Sequence, residues 1–240
     1  MFNDSVKRWG FGKMIKQKDD TVKQTPQIKI CGITRVSDAI SCAKLGADAL
    51  GFVFYPKSPR YVTCDTAREI SSALPEKIKT VGVFVDETFS SIMQTVEKCG
   101  LSAVQLHGNE TPQFVADCRK ESLIVIKALF LEKSPRIEEV NNYEASAFIV
   151  EYGKGTLPGG NALSWDWEKA KAVGENYPLI LAGGLSPENI STAISLCSPD
   201  AVDISSGVES SYGIKDIAKA ESFIRIVSGC MLTKITRRIF

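Results

Sequence analysis

The sequence predicts a single-domain α/β fold, a (β/α)8 barrel (TIM barrel), from three observations. First, short and uniformly apolar runs alternate with segments whose apolar residues recur at helical spacing, a pattern typical of parallel strands buried on both faces. Second, eight such units follow one another between residues 28 and 228, and a barrel of eight units needs roughly 200 residues or more. Third, no G-x-G-x-x-G follows the first apolar run, so an open doubly wound sheet is the second choice.

The individual elements follow from the same pattern. Apolar, β-branched runs predict strands over 28–33, 49–54, 80–85, 103–106, 124–128, 147–151, 179–182 and 201–204. Apolar residues at helical spacing predict helices over 37–45, 66–74, 89–99, 111–119 and 187–196. Residues that commonly cap a helix N-terminus stand near these helices, at Ser37, Asp65, Thr88, Asn109 and Ser186.

Composition and charge limit the class of protein. Hydrophobic residues make up 44% of the chain and charged residues 24%, as in an ordinary globular protein. With 29 basic and 28 acidic residues the net charge is +1, so we expect no nucleic-acid partner. No apolar run approaches the roughly 20 residues that cross a bilayer, and the first residues lack the apolar core of a secretory signal. We therefore expect no membrane association and a cytoplasmic location.

The seven cysteines are odd in number and contain no C-x-x-C. This spacing argues against a disulfide framework or a zinc ribbon and indicates reduced thiols with no metal site.

Both ends of the chain differ from the middle. Residues 1–27 are polar and basic without a sustained period, and 229–240 form a basic tail that ends in Ile239 and Phe240. We expect the barrel to occupy 28–228, with 1–27 as a flexible or loosely docked extension.

Polar and glycine residues gather where the predicted strands end, which in a barrel is the face that carries the active site. They include Cys31, Arg60, His107, Glu151, Asp203 and two glycine-bearing stretches, 183–184 and 205–207. From its position alone, Cys31 is explained most simply as a small buried side chain. A thiol at a strand end is also placed to do chemistry.

The two glycine-bearing stretches follow the last two predicted strands. Glycine lets backbone N–H groups approach an anion closely, and barrels often bind phosphate at these two loops. Gly183, Gly184, Ser205, Ser206 and Gly207 are therefore predicted to bind phosphate, whereas tight-turn geometry alone is the alternative.

Seven ordered stretches resemble one known family. They are 29–34 (KICGIT), 51–61 (GFVFYPKSPRY), 81–85 (VGVFV), 104–108 (VQLHG), 159–160 ahead of 166–167 (GG, DW), 181–189 (LAGGLSPEN) and 202–209 (VDISSGVE). In this order they resemble N-(5'-phosphoribosyl)anthranilate isomerase of tryptophan biosynthesis. The resemblance covers roughly residues 28–227.

The resemblance implies an enzyme of aromatic amino-acid biosynthesis. Its reaction is an Amadori rearrangement of N-(5-phosphoribosyl)anthranilate to 1-(2-carboxyphenylamino)-1-deoxyribulose 5-phosphate, an aldose–ketose isomerisation. It implies no cofactor and no metal, a sugar-phosphate substrate as the partner, and a monomer or a homodimer.

The resemblance also implies roles for single residues. Cys31 is the general base, and we expect nearby positive charge or a dipole to lower its pKa. Arg60 pairs with the anthranilate carboxylate. His107 is a polar wall of the pocket or a structural residue, and Asp203 contacts substrate or orders the pocket.

The sequence departs from the family at the acid and in the loop after it. Glu151 stands where the family has an aspartate, and the following glycine-rich segment, 152–163, lacks a glycine and a basic residue of the family pattern. We predict that Glu151 is the acid and that this loop is a lid.

Two alternatives stay open. The chain could be an impaired relative that binds a phosphate ligand without turnover. It could also be a sugar-phosphate isomerase of histidine biosynthesis, which ranks low because that branch has an aspartate where Cys31 stands.

Overall fold

The computed structural model describes residues 25–153 and 165–240, and this part of the chain forms a closed barrel of eight parallel strands in sequence order. The strands are β1 (Gln27–Cys31), β2 (Ala49–Val53), β3 (Lys79–Phe84), β4 (Ala103–Leu106), β5 (Ile124–Phe130), β6 (Ala147–Glu151), β7 (Leu179–Leu181) and β8 (Ala201–Ile204). Pairing of β8 with β1 closes the barrel and sets Asp203 opposite Lys29. The predicted fold class is confirmed, because uniformly apolar strands are buried on both faces as the parallel arrangement requires.

The helices follow most strands, as predicted. They are α1 (Val36–Leu45), α2 (Cys64–Ser72), α3 (Phe89–Cys99), α4 (Pro112–Arg119), α5 (Lys171–Asn176), α6 (Ile190–Cys197) and α7 (Ile217–Gly229). Two of the eight strand–helix units have a short helix or no α-helix. A 3₁₀ turn, Ile137–Asn142, stands in place of a helix after β5, and another, Trp167–Ala170, precedes the short α5.

An antiparallel hairpin between β8 and α7 departs from the predicted alternation. Its strands are β9 (Glu209–Ser211) and β10 (Ile214–Lys215). The turn of the hairpin rests on the loop after β1, where the Thr34 hydroxyl donates a hydrogen bond to the carbonyl oxygen of Gly213. The hairpin therefore brings Glu209 and Lys215 next to the carboxyl ends of β1 and β8.

One of the five predicted helix caps is confirmed. Thr88 accepts a hydrogen bond from the N–H of Ser91 at 3.3 Å. The other four predictions are wrong: Ser37 and Asp65 lie inside the first turns of α1 and α2, and Asn109 and Ser186 lie in loops. The N-cap positions are Arg35, Thr63, Thr111 and Asn189. In α2 and α4 a threonine lies at the position from which its hydroxyl can accept the N–H three residues on, and this geometry decides the start.

The basic tail closes the amino-terminal end of the barrel. Ile239 and Phe240 are 8% and 4% exposed and pack with inward-facing residues such as Ala49 and Ile180. The Gln27 side chain accepts the N–H groups of Ile239 and Phe240 at 2.7 and 3.2 Å and donates to the Phe240 oxygen at 2.9 Å. The two apolar side chains and their hydrogen bonds to Gln27 thus close an end of the barrel that would otherwise be open.

Two sequence predictions fall on other parts of the chain. Most of the extension 1–27 and most of the lid 152–163 lie outside the described residues. Within the described residues, none of the helices combines the length and apolarity needed to span a membrane.

Candidate active site

A cavity that is open to solvent lies at the carboxyl ends of the strands. It is lined by nearly all of the predicted site residues: Cys31, Arg60, His107, Glu151, Gly183, Gly184, Asp203, Ser205 and Ser206. Gly207 lies just behind this lining, where a side chain would collide with the carbonyl group of Leu185. Barrel closure therefore brings together residues from all parts of the sequence.

Cys31 lies beside a buried cation that sequence reasoning missed. Lys29 and Cys31 are two residues apart on β1, so their side chains share one face of the strand. Lys29 is 0% exposed, and its Nζ donates to Oδ1 of Asp203 at 2.8 Å. The sequence did contain a signal for this buried cation, because Lys29 interrupts an otherwise apolar run in a strand that is buried on both faces.

Glycine on the neighbouring strand makes room for this pair. Gly51 stands opposite Cys31 in β2. A Cβ at Gly51 would lie 2.8 Å from Sγ of Cys31 and 3.1 Å from Nζ of Lys29. Any larger residue would therefore displace the thiol or the ammonium group.

The expectation of a lowered pKa for Cys31 is wrong for this ligand-free site. Burial raises the pKa of the Cys31 thiol, the Lys29 ammonium opposes this rise, and Asp203 adds to it. Desolvation of the thiolate outweighs one nearby cation whose charge is shared with a carboxylate. For Lys29, burial acts to lower the pKa, but Asp203 and Cys31 outweigh it and raise the pKa. The lysine therefore stays positively charged.

Glu151 ends a chain of hydrogen bonds. Nε2 of His107 lies 3.0 Å from Oε2 of Glu151, and Nε2 of Gln105 lies 2.9 Å from Nδ1 of His107. All three residues are buried and line the cavity. The Phe130 ring meets the His107 ring edge-on at 5.3 Å and restricts its rotation. The structure thus connects His107, predicted as a wall of the pocket, directly to the predicted acid.

A buried ion pair behind β4 supports the loop that carries His107. Lys127 is fully buried, and its Nζ donates to Oε2 of Glu110 at 2.6 Å and to the carbonyl of Gly108 at 2.7 Å. Glu110 in turn accepts the N–H of Gly108. Lys127, a polar residue at a strand end, therefore shapes the loop and does not line the cavity.

Arg60 is held by the hairpin. Its Nε and Nη2 donate to Oε1 and Oε2 of Glu209 at 2.8 and 2.7 Å, and Lys215 donates to the same Oε1 at 2.9 Å. Burial acts to raise the pKa of Glu209, but the hydrogen bond from Arg60 and the charge of Lys215 outweigh it and lower the pKa. Two cations on one carboxylate leave the group with a net positive charge beside the cavity.

The glycine-bearing loops have the backbone geometry expected of an anion site. Gly183 and Gly184 have φ values of +85° and +68°, which favour glycine. A Cβ at Gly183 would lie 3.0 Å from Cγ of Glu151 and 2.9 Å from Nε1 of Trp165. Within 25–153 and 165–240, the N–H groups of Gly183 and Gly184 make no hydrogen bond.

Two buried polar atoms at the cavity have no hydrogen-bond partner among the described residues. They are Oγ of Ser205 and Oε1 of Gln105, and both residues line the cavity. Buried polar atoms are usually satisfied. Ser205 and Gln105 are therefore the places in the cavity wall where the described residues leave a buried polar atom unsatisfied.

Four residues of this site were not predicted from the sequence. Lys29, Gln105 and Glu209 hydrogen-bond to predicted residues, and Lys215 donates to Glu209 and to the carbonyl oxygen of Ser205. The partners of Lys29 and Glu209 lie 174 and 149 residues away along the chain, so spacing gave no signal for these two pairs.

Comparison with known proteins places this site in a family. The model of N-(5'-phosphoribosyl)anthranilate (PRA) isomerase matches residues 28–226. An N-(5'-phosphoribosyl)anthranilate isomerase of Desulfatibacillum aliphaticivorans is 47% identical over 214 residues, which cover 89% of this chain and 98% of that protein.

Solved structures that are similar to this chain include isomerases of the same name. Monomers of the dimeric phosphoribosylanthranilate isomerase of Thermotoga maritima align with a TM-score of 0.75 at 38% identity, over 85% of this chain and 99% of that one. A phosphoribosyl anthranilate isomerase in complex with reduced 1-(o-carboxyphenylamino)-1-deoxyribulose 5-phosphate aligns with a TM-score of 0.73 at 40% identity, with the same coverage. The family expected from the sequence is confirmed, and the chain belongs to the N-(5'-phosphoribosyl)anthranilate isomerase family.

Proposed function

We propose that the chain isomerises N-(5-phosphoribosyl)anthranilate to 1-(2-carboxyphenylamino)-1-deoxyribulose 5-phosphate, with Cys31 as the base and Glu151 as the acid. One observation carries this proposal. A thiol and a carboxyl group, held by β1 and β6, line the same cavity as the two glycine-bearing loops. An acid, a base and an anion site in one cavity are what a cofactor-free isomerisation of a sugar phosphate needs.

The two charged ends of the substrate have matching places. The phosphate would lie on the N–H groups of Gly183 and Gly184, with Ser205 and Ser206 on its other side. The anthranilate carboxylate would meet Arg60, whose Nη1 remains after Nε and Nη2 are used by Glu209. The ligand in the related complex carries a phosphate and a carboxyphenyl group at its two ends. This matches the arrangement proposed here.

The chemistry begins with an acid step and a base step and ends with proton return. Glu151 gives its proton to the ribose ring oxygen, the C1–O bond breaks, and the nitrogen lone pair forms a protonated Schiff base. Cys31 as thiolate then removes the C2 proton, and the released electron pair forms an enolamine. Return of that proton to C1 and loss of the C2 hydroxyl proton to Glu151 give the aminoketose and restore both groups. Asp203 keeps Lys29 beside the thiol, so that a cation faces the thiolate when it forms.

Glu151 reaches into the cavity by one more methylene than the aspartate expected in this family, a difference of about 1.5 Å. Gly183 provides the space, because any side chain there would press on Cγ of Glu151. His107 fixes the carboxyl group at the end of this longer side chain. We therefore infer that the site is built around glutamate and that Glu151→Asp lowers kcat by about tenfold to a hundredfold.

Steady-state assays of Cys31→Ala, Glu151→Gln and Glu151→Asp test the assignment. We expect the first two to lose at least about a hundredfold in kcat. Cys230→Ser, a half-buried thiol after α7, is the matched control and should keep full activity. Normal turnover by Cys31→Ala or Glu151→Gln would contradict the assigned role. Product binding without any wild-type turnover would instead favour the impaired relative.

We further propose a monomer or a homodimer that works in the cytoplasm. The related Thermotoga maritima enzyme is dimeric, and monomers have been generated from it. Light scattering coupled to size exclusion, on the full chain, distinguishes the two states, and a larger assembly would contradict both.

A further inference from the structure

We propose that Gln105 and His107 are positioning residues that set which oxygen of Glu151 carries the acidic proton. The proposal deepens the function above and rests on it, since Glu151 acts there as the acid. Gln105 directs the proton of His107 to Nε2, and that N–H occupies Oε2 of Glu151. The transferable proton is thereby confined to Oε1.

The three groups form a rigid arrangement inside the barrel. Gln105 lies on β4 and His107 two residues later, so both side chains point to the same side. Glu151 ends β6. Their exposed fractions are 2%, 5% and 8%. Distances of 2.9 Å and 3.0 Å connect them in the order glutamine, histidine, glutamate, and both are ordinary hydrogen-bond lengths.

The chemistry of the amide group decides where the histidine proton lies. Nε2 of Gln105 can only donate, so Nδ1 of His107 accepts. A neutral imidazole then carries its proton on Nε2, from which it donates to Oε2 of Glu151. After Glu151 has protonated the substrate, the carboxylate that remains keeps this hydrogen bond.

If the side-chain amide of Gln105 had the opposite orientation, the proton of Glu151 would lie on a different oxygen. Oε1 of Gln105 would then accept from Nδ1–H, and the lone pair on Nε2 would face a carboxylate oxygen. Those two acceptors repel each other unless Glu151 is protonated at Oε2 or the imidazole is charged. The orientation of one amide therefore selects between two protonation patterns of the acid.

The donor side of the amide fixes the first orientation. In that orientation the amide N–H of Gln105 meets Nδ1 of His107 at 2.9 Å. Oε1 of Gln105 is buried and accepts no hydrogen bond within the described residues.

Other ionisable groups face this chain of hydrogen bonds. Lys133 lies over the Phe130 ring at 4.0 Å. Burial lowers the pKa of Lys133, and the charges of Glu151 and Asp86 oppose that change. Cys31 and Asp203 line the same cavity. Several groups therefore contribute to a pH profile. The contribution of Gln105 is isolated by comparing variants at this position, because its side chain carries no charge.

The single histidine of the chain allows a direct test. Full-length protein without a polyhistidine tag, labelled with 15N-histidine, gives the protonation of each ring nitrogen of His107 by NMR. We expect the proton on Nε2 in the wild type. Gln105→Leu should produce a mixture of the two tautomers, and Gln105→Glu should move a proton to Nδ1. A wild-type proton on Nδ1, or a Gln105→Leu spectrum identical to the wild type, would overturn the proposal.

Kinetics provide a second measurement. In Gln105→Glu the new carboxylate favours a charged imidazole, which stabilises ionised Glu151. The basic limb of the kcat profile should therefore move to lower pH by about one unit or more. Gln94→Glu adds the same charge on the exposed face of α3 and should leave the profile unchanged. Unshifted profiles for both variants would contradict the proposal.

Two substitutions at His107 separate positioning from structural support. Glutamine can place an amide N–H near the position of Nε2, whereas leucine only fills space. We expect His107→Leu to lower kcat by about a hundredfold with little change in KM, and His107→Gln to recover at least about tenfold of that loss. Thermal unfolding is the control for folding. Equal activity of His107→Leu and His107→Gln at equal stability would contradict the proposal.

The outcomes differ from those of a failed function. If the isomerase assignment is wrong, wild-type protein shows no turnover while the NMR result can still hold. If only the present inference is wrong, Glu151→Gln is inactive but the variants at Gln105 and His107 keep normal kcat values and pH profiles.

Discussion

The thiol of Cys31 combines two opposing influences, burial and an adjacent ammonium group. Lys29 is close enough to favour the thiolate, but its charge is shared with Asp203, and burial has the larger effect. The thiol is therefore mostly protonated at neutral pH. If Cys31 is the base, as proposed, activity depends on the small thiolate fraction and on what the substrate changes on binding.

The raised pKa of Cys31 predicts how the reactivity of the thiol depends on pH. Below its pKa the thiolate fraction grows about tenfold per pH unit, so the rate of alkylation at Cys31 should rise steadily from about pH 6 to about pH 9. Measurement of that rate over this range checks the prediction. A plateau reached below about pH 7 would show that the thiol is already ionised there.

Replacement of Asp203 by asparagine should lower the pKa of Cys31. The substitution removes a negative charge that disfavours the thiolate and leaves Lys29 with Cys31 as its nearest anionic partner. The rate of alkylation at Cys31, followed by mass spectrometry as a function of pH, should reach its midpoint at lower pH than in the wild type.

The other thiols provide an internal reference for that experiment. Burial raises the pKa of Cys42, Cys99 and Cys118 to about 11 and that of Cys197 to about 12. Their alkylation midpoints should be the same in Asp203→Asn and in the wild type. Asp65→Asn, at an exposed position on α2, is the matched control. A midpoint at Cys31 that does not move, or that rises, contradicts the prediction.

At the scale of elements, strands were predictable and connections were not. Most residues of each strand are apolar, so its sequence identifies it without knowledge of its neighbours. The helix starts required a choice between neighbouring capping residues, and Thr63 and Thr111 were overlooked. The hairpin β9–β10 is short and polar. Its role, which is to hold Arg60 through Glu209, is visible only in the folded structure.

The tail 230–240 is the element whose role the sequence concealed. Ile239 and Phe240 follow a basic stretch with no period, yet they pack into the barrel end. Removal of these two residues should lower the free energy of unfolding by about 3 to 5 kcal/mol, because two large apolar side chains leave a buried position. Denaturant unfolding measures the loss, and kcat should stay unchanged.

A matched control for the tail lies within the same segment. Met231 is 67% exposed, so Met231→Ala should leave stability within about 0.5 kcal/mol of the wild type. Equal stability of the truncated and the full chain would mean that the tail does not hold the barrel closed in solution.

For the whole molecule, chemistry and stability occupy opposite ends of one barrel. Predicted site residues gathered at the carboxyl end because parallel closure aligns all eight strand ends. Two of their supporting partners could not be predicted, because Lys29 and Glu209 meet Asp203 and Arg60 only after the chain has closed on itself.

This separation predicts additive effects. Glu209→Gln weakens the support of Arg60 at one end, and truncation before Ile239 opens the other. Since the two sites share no partner, their changes in the free energy of unfolding should add to within about 0.5 kcal/mol. Unfolding of the double variant, compared with both single variants, is the measurement. A larger deviation would show that the barrel couples its two ends.

The burial of Cys31 has a further consequence, for survival of the enzyme under oxidising conditions. Peroxides attack thiolates, and thiols only slowly. The Cys31 thiol, which is 8% exposed and rests in the protonated form, is therefore shielded from sulfenic acid formation. The same desolvation that limits the thiolate fraction protects the one sulfur atom on which the proposed reaction depends.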